Sequence, residues 1–77
     1  MRIQILGMGC AKCAKLEERT RQAATELGLE FQVEKVKDMQ QIMAFGVLAT
    51  PALVVDGVVK VAGKMPGVED IKRMLAK

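Results

Sequence analysis

The chain has 77 residues and a formal net charge of +3, from 12 Lys and Arg against 9 Asp and Glu, with 51% hydrophobic and 27% charged residues. That balance is globular; no apolar run approaches the roughly 20 residues that span a bilayer, and two Phe with no Trp or Tyr leave no stacking platform for single-stranded nucleic acid. With no His and only two Cys, the commonest general base is missing and so are the four ligands of a structural zinc site.

Residues 2–6, RIQIL, alternate and end apolar, which suits a strand, and Gly7 and Gly9 break it. From Ala11 to Leu27 the residues Leu16, Ala23, Ala24 and Leu27 recur at helical spacing, and Gly28 stands where a helix C-terminal glycine belongs. Residues 30–36, EFQVEKV, put Phe31 and Val33 on one face of a second strand. Asp38 with Gln41 three residues later resembles a capping box. It predicts a short helix with Met39, Ile42, Met43 and Phe45 turned inward and Gly46 ending it. Ala49-Thr50-Pro51 leads into a third strand, ALVV. Asp56-Gly57 is a two-residue hairpin turn with no further role expected of it, and VVKVA completes the hairpin. After a loop over 63–67, Val68, Ile71, Met74 and Leu75 mark a closing amphipathic helix.

The predicted order is βαβαββα over a single domain, residues 1–77. A strand–helix–strand start implies a parallel pair joined by a crossover, and the hairpin adds an antiparallel pair. The expected fold is α/β: one four-stranded mixed sheet with helices on both faces. The N-terminus runs into a strand pattern without a signal-peptide pattern, so the chain is expected in the cytoplasm, as a monomer. In that compartment a Cys-x-x-Cys is catalytic or metal-binding more often than structural.

Gly7-Met8-Gly9-Cys10-Ala11-Lys12-Cys13 places Cys10 at the start of the first helix and Cys13 one turn inside. Unpaired amides and the positive end of the helix dipole favour thiolate there, and such positions lower a cysteine pKa from about 8.5 into the range of roughly 3.5–7.5. Cys10 feels this most; Cys13, deeper, stays protonated longer. Lys12 adds a positive charge nearby; tuning of Cys10 and a solvated helix-surface charge are equal readings of it. The spacing lets Cys13 resolve a mixed disulfide formed at Cys10.

The element order, Cys10-Ala11-Lys12-Cys13 after the first strand and Thr50-Pro51 opening the third resemble the thioredoxin fold. Gly-x-Gly-Cys-x-x-Cys followed by Thr-Pro-Ala-Leu-Val-Val-Asp-Gly is most similar to the small glutaredoxin-like, redox-active disulfide proteins of archaea and bacteria, over essentially the whole chain. The resemblance implies a thiol–disulfide oxidoreductase. In it Cys10 attacks, Cys13 resolves, and the two form the redox-active disulfide. Pro51 is implied to be a cis-proline that turns Thr50 towards Cys10, where the Thr50 backbone pairs with an extended substrate segment. Gly63 matches a glycine that keeps the approach open, and Lys12 joins the substrate-facing set. The implied partners are protein or small-molecule disulfides and a disulfide reductase, with no metal and no cofactor. Where thioredoxins carry a buried acid in the first strand, this chain has Gln4, and no ionisable group is expected near it.

The same seven residues also resemble the Gly-Met-x-Cys-x-x-Cys loop of heavy-metal-associated domains, which carry Cu(I) between two thiolates, and soft thiolates do select Cu(I). Those domains run strand–helix–strand–strand–helix–strand, unlike the order predicted here. Met39 and Met43 offer further soft ligands, but core filling explains them more simply. Met8 and Met65 flank the site, either as an apolar rim or as packing. Glu17 and Glu18 read as a solvated face with Arg21.

Overall fold

The computed structural model describes residues 1–7, 11–47 and 49–76. Its elements follow the predicted order: β1 (Arg2–Leu6), α1 (Ala11–Glu26), β2 (Gln32–Val36), α2 (Met39–Ala44), β3 (Ala52–Val55), β4 (Val58–Ala62) and α3 (Val68–Leu75). The four strands form one sheet in the order β2-β1-β3-β4. β1 runs parallel to β2 and antiparallel to β3, and β3 is antiparallel to β4. Because successive side chains on a strand point to opposite faces, the sheet carries two cores. One joins Ile3, Ile5, Leu53 and Val55 to Cys13, Leu16, Ala23 and Ala24 of α1 and to Ile71 and Leu75 of α3. The other joins Leu6, Ala52 and Val54 to Val36, Ile42 and Val47 under α2.

Helix α1 ends one residue before the periodicity suggests. The Gly28 N–H donates to the Thr25 carbonyl and the Leu29 N–H to the Ala24 carbonyl, each at 3.0 Å, with Gly28 at φ 69°. This is the Schellman pair of bonds, which needs a left-handed residue after the helix. Leu27 therefore lies past the last helical turn and is 37% exposed rather than inward, while Leu29 packs on the first core. The second strand begins at Gln32, not at Glu30.

Helix α2 corrects two inward assignments. Met39 and Met43 are 57% and 67% exposed. At about 100° per residue, Ile42 and Phe45 lie about 60° apart, and Met43 is about 100° or more from either. So short a helix covers the sheet with one narrow face, carrying buried Ile42 and half-buried Phe45. Asp38 caps it by accepting the Gln40 N–H at 2.9 Å.

Strand β4 carries an irregularity that simple alternation hides. Leu53 pairs with Val61 but Val54 pairs with Val59, so Lys60 is an extra residue in the ladder. A bulge of this kind resets which face each side chain meets. Val59 and Val61, two apart, accordingly pack on opposite cores. The hairpin turn also does more than turn the chain: with Asp56 at φ 50° and Gly57 at φ 84°, the Asp56 carboxylate accepts the Arg2 N–H and the Asp56 N–H donates to the Arg2 carbonyl, both at 2.8 Å.

Charged side chains brace the layers. Glu17 on α1 pairs with Arg21 and reaches across to Lys35 of β2, both at 3.0 Å. Glu26 at the end of α1 pairs with Lys72 of α3 and accepts from Gln22 at 2.8 Å. Burial pushes the Glu17 carboxyl up, but the hydrogen bonds from Lys35 and Arg21 outweigh it, so it titrates below its ordinary value of about 4.5. Hydrogen bonds from Lys72 and Gln22 lower Glu26 in the same way. A carboxyl held low in the folded state contributes stability that is complete above the unfolded value and is lost as pH falls through the folded one. Thermal melting should therefore drop as pH falls below about 5, and the drop should shrink in high salt because the pairs lie near the surface. A Lys35→Met/Lys72→Met variant should show a flatter profile; a profile parallel to the parent's would assign the pH dependence elsewhere.

Candidate functional site

The site is assembled where β1 ends, α1 begins and β3 starts. Cys13 is the third residue of α1 and is 7% exposed, as a member of the core between the sheet, α1 and α3. Its place on the first turn puts the sulfur near the positive end of the helix dipole. Met8, Gly9 and Cys10, and with them the Cys10–Cys13 pairing and the apolar rim at Met8, lie outside the described residues.

Gly7 closes β1 against β2, its N–H donating to the Val36 carbonyl at 3.0 Å. A Cβ placed on it would lie 2.1 Å from the Cys13 sulfur and 3.3 Å from the Cys13 Cβ. The same point is 4.0 Å from the Thr50 Cβ, so Gly7, Cys13 and Thr50 converge. Thr50 is exposed and Pro51 buried, and the peptide bond between them is cis.

Gly63 holds this loop from the other side. Its N–H donates to the Pro51 carbonyl at 2.8 Å. Its φ is 74°, a conformation that favours glycine, and a Cβ there would come within 2.8 Å of the Ala49 Cβ. The structure thus places Gly63 against Ala49 and Pro51. Lys12, the second residue of α1, is exposed. Met65 is half-buried and packs on the first core.

Gln4 does have an ionisable neighbour. It is buried, and its Nε2 donates to the Glu34 Oε1 across the parallel pair at 3.4 Å. Alternation along β1 puts Gln4 on the α2 face, opposite Ile3, Ile5 and the core that holds Cys13. The residue whose packing role sequence reasoning misses is Gly7, which reads there as a strand breaker and as the first glycine of the Gly-x-Gly-Cys-x-x-Cys pattern. Its signal was present as a glycine six residues before Cys13, but the close approach depends on how α1 packs on β1. Among the described residues, no group of three or more His, Cys, Asp or Glu could hold a metal ion, and no helix is long and apolar enough to cross a membrane.

A family model described as a thioredoxin domain matches residues 1–76. The chain belongs to the thioredoxin family. It is 46% identical over 76 residues to a protein named thioredoxin from Methanothermobacter thermautotrophicus, covering 99% of each chain. It is 40% identical over 73 residues to a thioredoxin from Methanocaldococcus jannaschii, covering 95% of this chain and 84% of that one. The four-stranded mixed sheet with α1 and α3 on one face and α2 on the other is a minimal thioredoxin fold.

Proposed function

We propose that this thioredoxin-family chain is a cytoplasmic thiol–disulfide oxidoreductase that works through Cys10 and Cys13. The observation that carries the reading is the seat of the Cys13 sulfur, buried at the start of α1 against Gly7 and beside the Thr50–Pro51 loop. A buried thiol one turn into a helix, behind a cysteine three residues earlier, suits a resolving role rather than first attack, because first attack needs exposure. Cys10 as thiolate attacks one sulfur of a substrate disulfide, forming a mixed disulfide and expelling the other sulfur as a thiolate, which takes up a proton. Cys13 then loses its proton and attacks the Cys10 sulfur. This forms the Cys10–Cys13 disulfide and releases the second substrate thiol. Two electrons pass from protein to substrate, and a partner reductase returns them.

Thr50 is exposed beside this seat, so its backbone N–H and C=O are suited to pair with an extended segment flanking the substrate disulfide. Pro51 and Gly63 support that loop, and Lys12 lends positive charge to the approach. The substrates in this reading are protein or small-molecule disulfides.

The test is equilibration of the protein in a graded series of dithiothreitol redox buffers, with acid quench, alkylation and mass spectrometry. A single two-electron transition in which Cys10 and Cys13 lose both alkyl groups together supports the reading. Thiols that stay reduced throughout, with stoichiometric Cu(I) uptake that protects both from alkylation, would establish metal carriage instead.

A further inference from the structure

We propose that Gly7 is a positioning residue for the second half of the reaction: its missing side chain is the recess that seats the Cys13 sulfur. The inference rests on the reading of Cys10 and Cys13 given above. Gly28, Gly46, Gly57 and Gly63 have φ between 69° and 84°, where glycine is favoured by backbone conformation alone. Gly7 does not: its φ lies outside the left-handed region, so φ there does not call for glycine. The neighbour that excludes a side chain there is the Cys13 sulfur, 2.1 Å from the position of a Cβ, with the Cys13 Cβ at 3.3 Å. Neither backbone yields easily, so the strain falls on the sulfur itself, which moves by turning about the Cys13 Cα–Cβ bond. Gly7 is buried and bonded through its N–H to Val36 of β2, and Cys13 is fixed on α1, which packs through Leu16, Ala23 and Ala24 on the sheet.

The consequence is chemical. In the resolving step the Cys13 sulfur attacks the Cys10 sulfur in line with the bond to the departing substrate sulfur; the Cys10–Cys13 bond forms, the Cys10–substrate bond breaks and the substrate leaves as a thiolate that is then protonated. Such a displacement depends on the reacting atoms being held in line. To go from 2.1 Å to an ordinary contact of 3.4 Å or more, the sulfur has to shift by at least about 1.3 Å, and a misplacement of even about 1 Å can cost about a hundredfold in rate. The first attack, by Cys10, does not use the Cys13 sulfur. A methyl group at Gly7 therefore separates the two halves of the reaction: it slows resolution and spares formation of the adduct.

The experiment compares reduced parent and Gly7→Ala with dipyridyl disulfide, acid-quenched at intervals and read by intact mass. In the parent, a pyridyl adduct forms and then decays to the internal disulfide. In Gly7→Ala the adduct is expected to form at a rate within about twofold of the parent and to decay at least about tenfold more slowly. Decay at the parental rate overturns the role of Gly7 and leaves the functional reading intact. Equal slowing of both steps also overturns it, since that marks general disruption. A parent that forms no adduct, or never closes it to the internal disulfide, overturns the functional reading and this proposal with it. Melting temperatures of Gly7→Ala in the parent and in a Cys13→Ala background decide the matter if the single variant folds poorly. Removing the sulfur should relieve at least about half of the loss, or restore folding outright; an equal loss in both backgrounds overturns the proposal.

Discussion

Replacing Cys10 with Ser is expected to lower disulfide exchange by at least about a thousandfold, ~4 kcal/mol of barrier at ~1.36 kcal/mol per decade. A hydroxyl is not ionised at neutral pH and forms no mixed disulfide, so the first covalent step disappears. Cys13→Ser behaves differently. Cys10 still attacks, but nothing displaces the product, so the protein accumulates as a mixed disulfide with one substrate thiol per chain. The asymmetry is the content of the prediction: both variants stop turnover, and only one is found with substrate attached. Alkylation of the parent across a pH series carries the same contrast. Cys10, in the attacking role proposed for it, should react at pH values well below about 8.5, whereas Cys13, 7% exposed, should lag at every pH. Covalent adducts on Cys10→Ser, or full exchange activity in it, would sink the assignment. Equal trapping by both single variants would mean that the two thiols do not divide the roles.

Local signals in the sequence carried the architecture because they act over a few residues. Gly28 and Leu29 close α1 through bonds to Thr25 and Ala24, Asp38 caps α2, and Asp56-Gly57 turns the hairpin; each is readable without knowing what packs where. The features that escaped are set by tertiary packing. Helical spacing turns Met39, Ile42, Met43 and Phe45 all inward but cannot say that the sheet meets only the side carrying Ile42 and Phe45. Alternation in VVKVA concealed the extra residue at Lys60, because a bulge is a relation between two strands. Glu34 is 30 residues from Gln4 and becomes its neighbour only through the parallel register of β1 and β2. Gly7 follows the same logic. A glycine at a strand end reads as a breaker, and its contact with Cys13 exists only once α1 lies on β1.

Leu53→Ala is expected to be the most damaging core substitution and to undo the site along with the fold. Leu53 is fully buried at the middle of the sheet, on a strand with neighbours on both sides, paired with Ile5 and Val61. Truncating such a leucine costs about 3–5 kcal/mol, the transfer loss plus the cavity left behind. A chain of this size has about 4–12 kcal/mol in all, at ~0.05–0.15 per residue. The melting temperature should therefore fall by more than about 10 °C. Leu27→Ala, 37% exposed beyond the end of α1, should stay within about 1 kcal/mol of the parent. The functional link is that Leu53 and Cys13 share one core, and Leu53 lies two residues after Pro51 on the strand that anchors the Thr50 loop. A cavity there loosens the core to which Cys13 belongs, so Cys13 in Leu53→Ala should alkylate faster than in the parent under conditions where both remain folded. If Leu53→Ala melted within about 3 °C of the parent, this core would not be what holds α1 on the sheet. The seat of Cys13 would then owe its rigidity to the ion pairs of Glu17 and Glu26 instead.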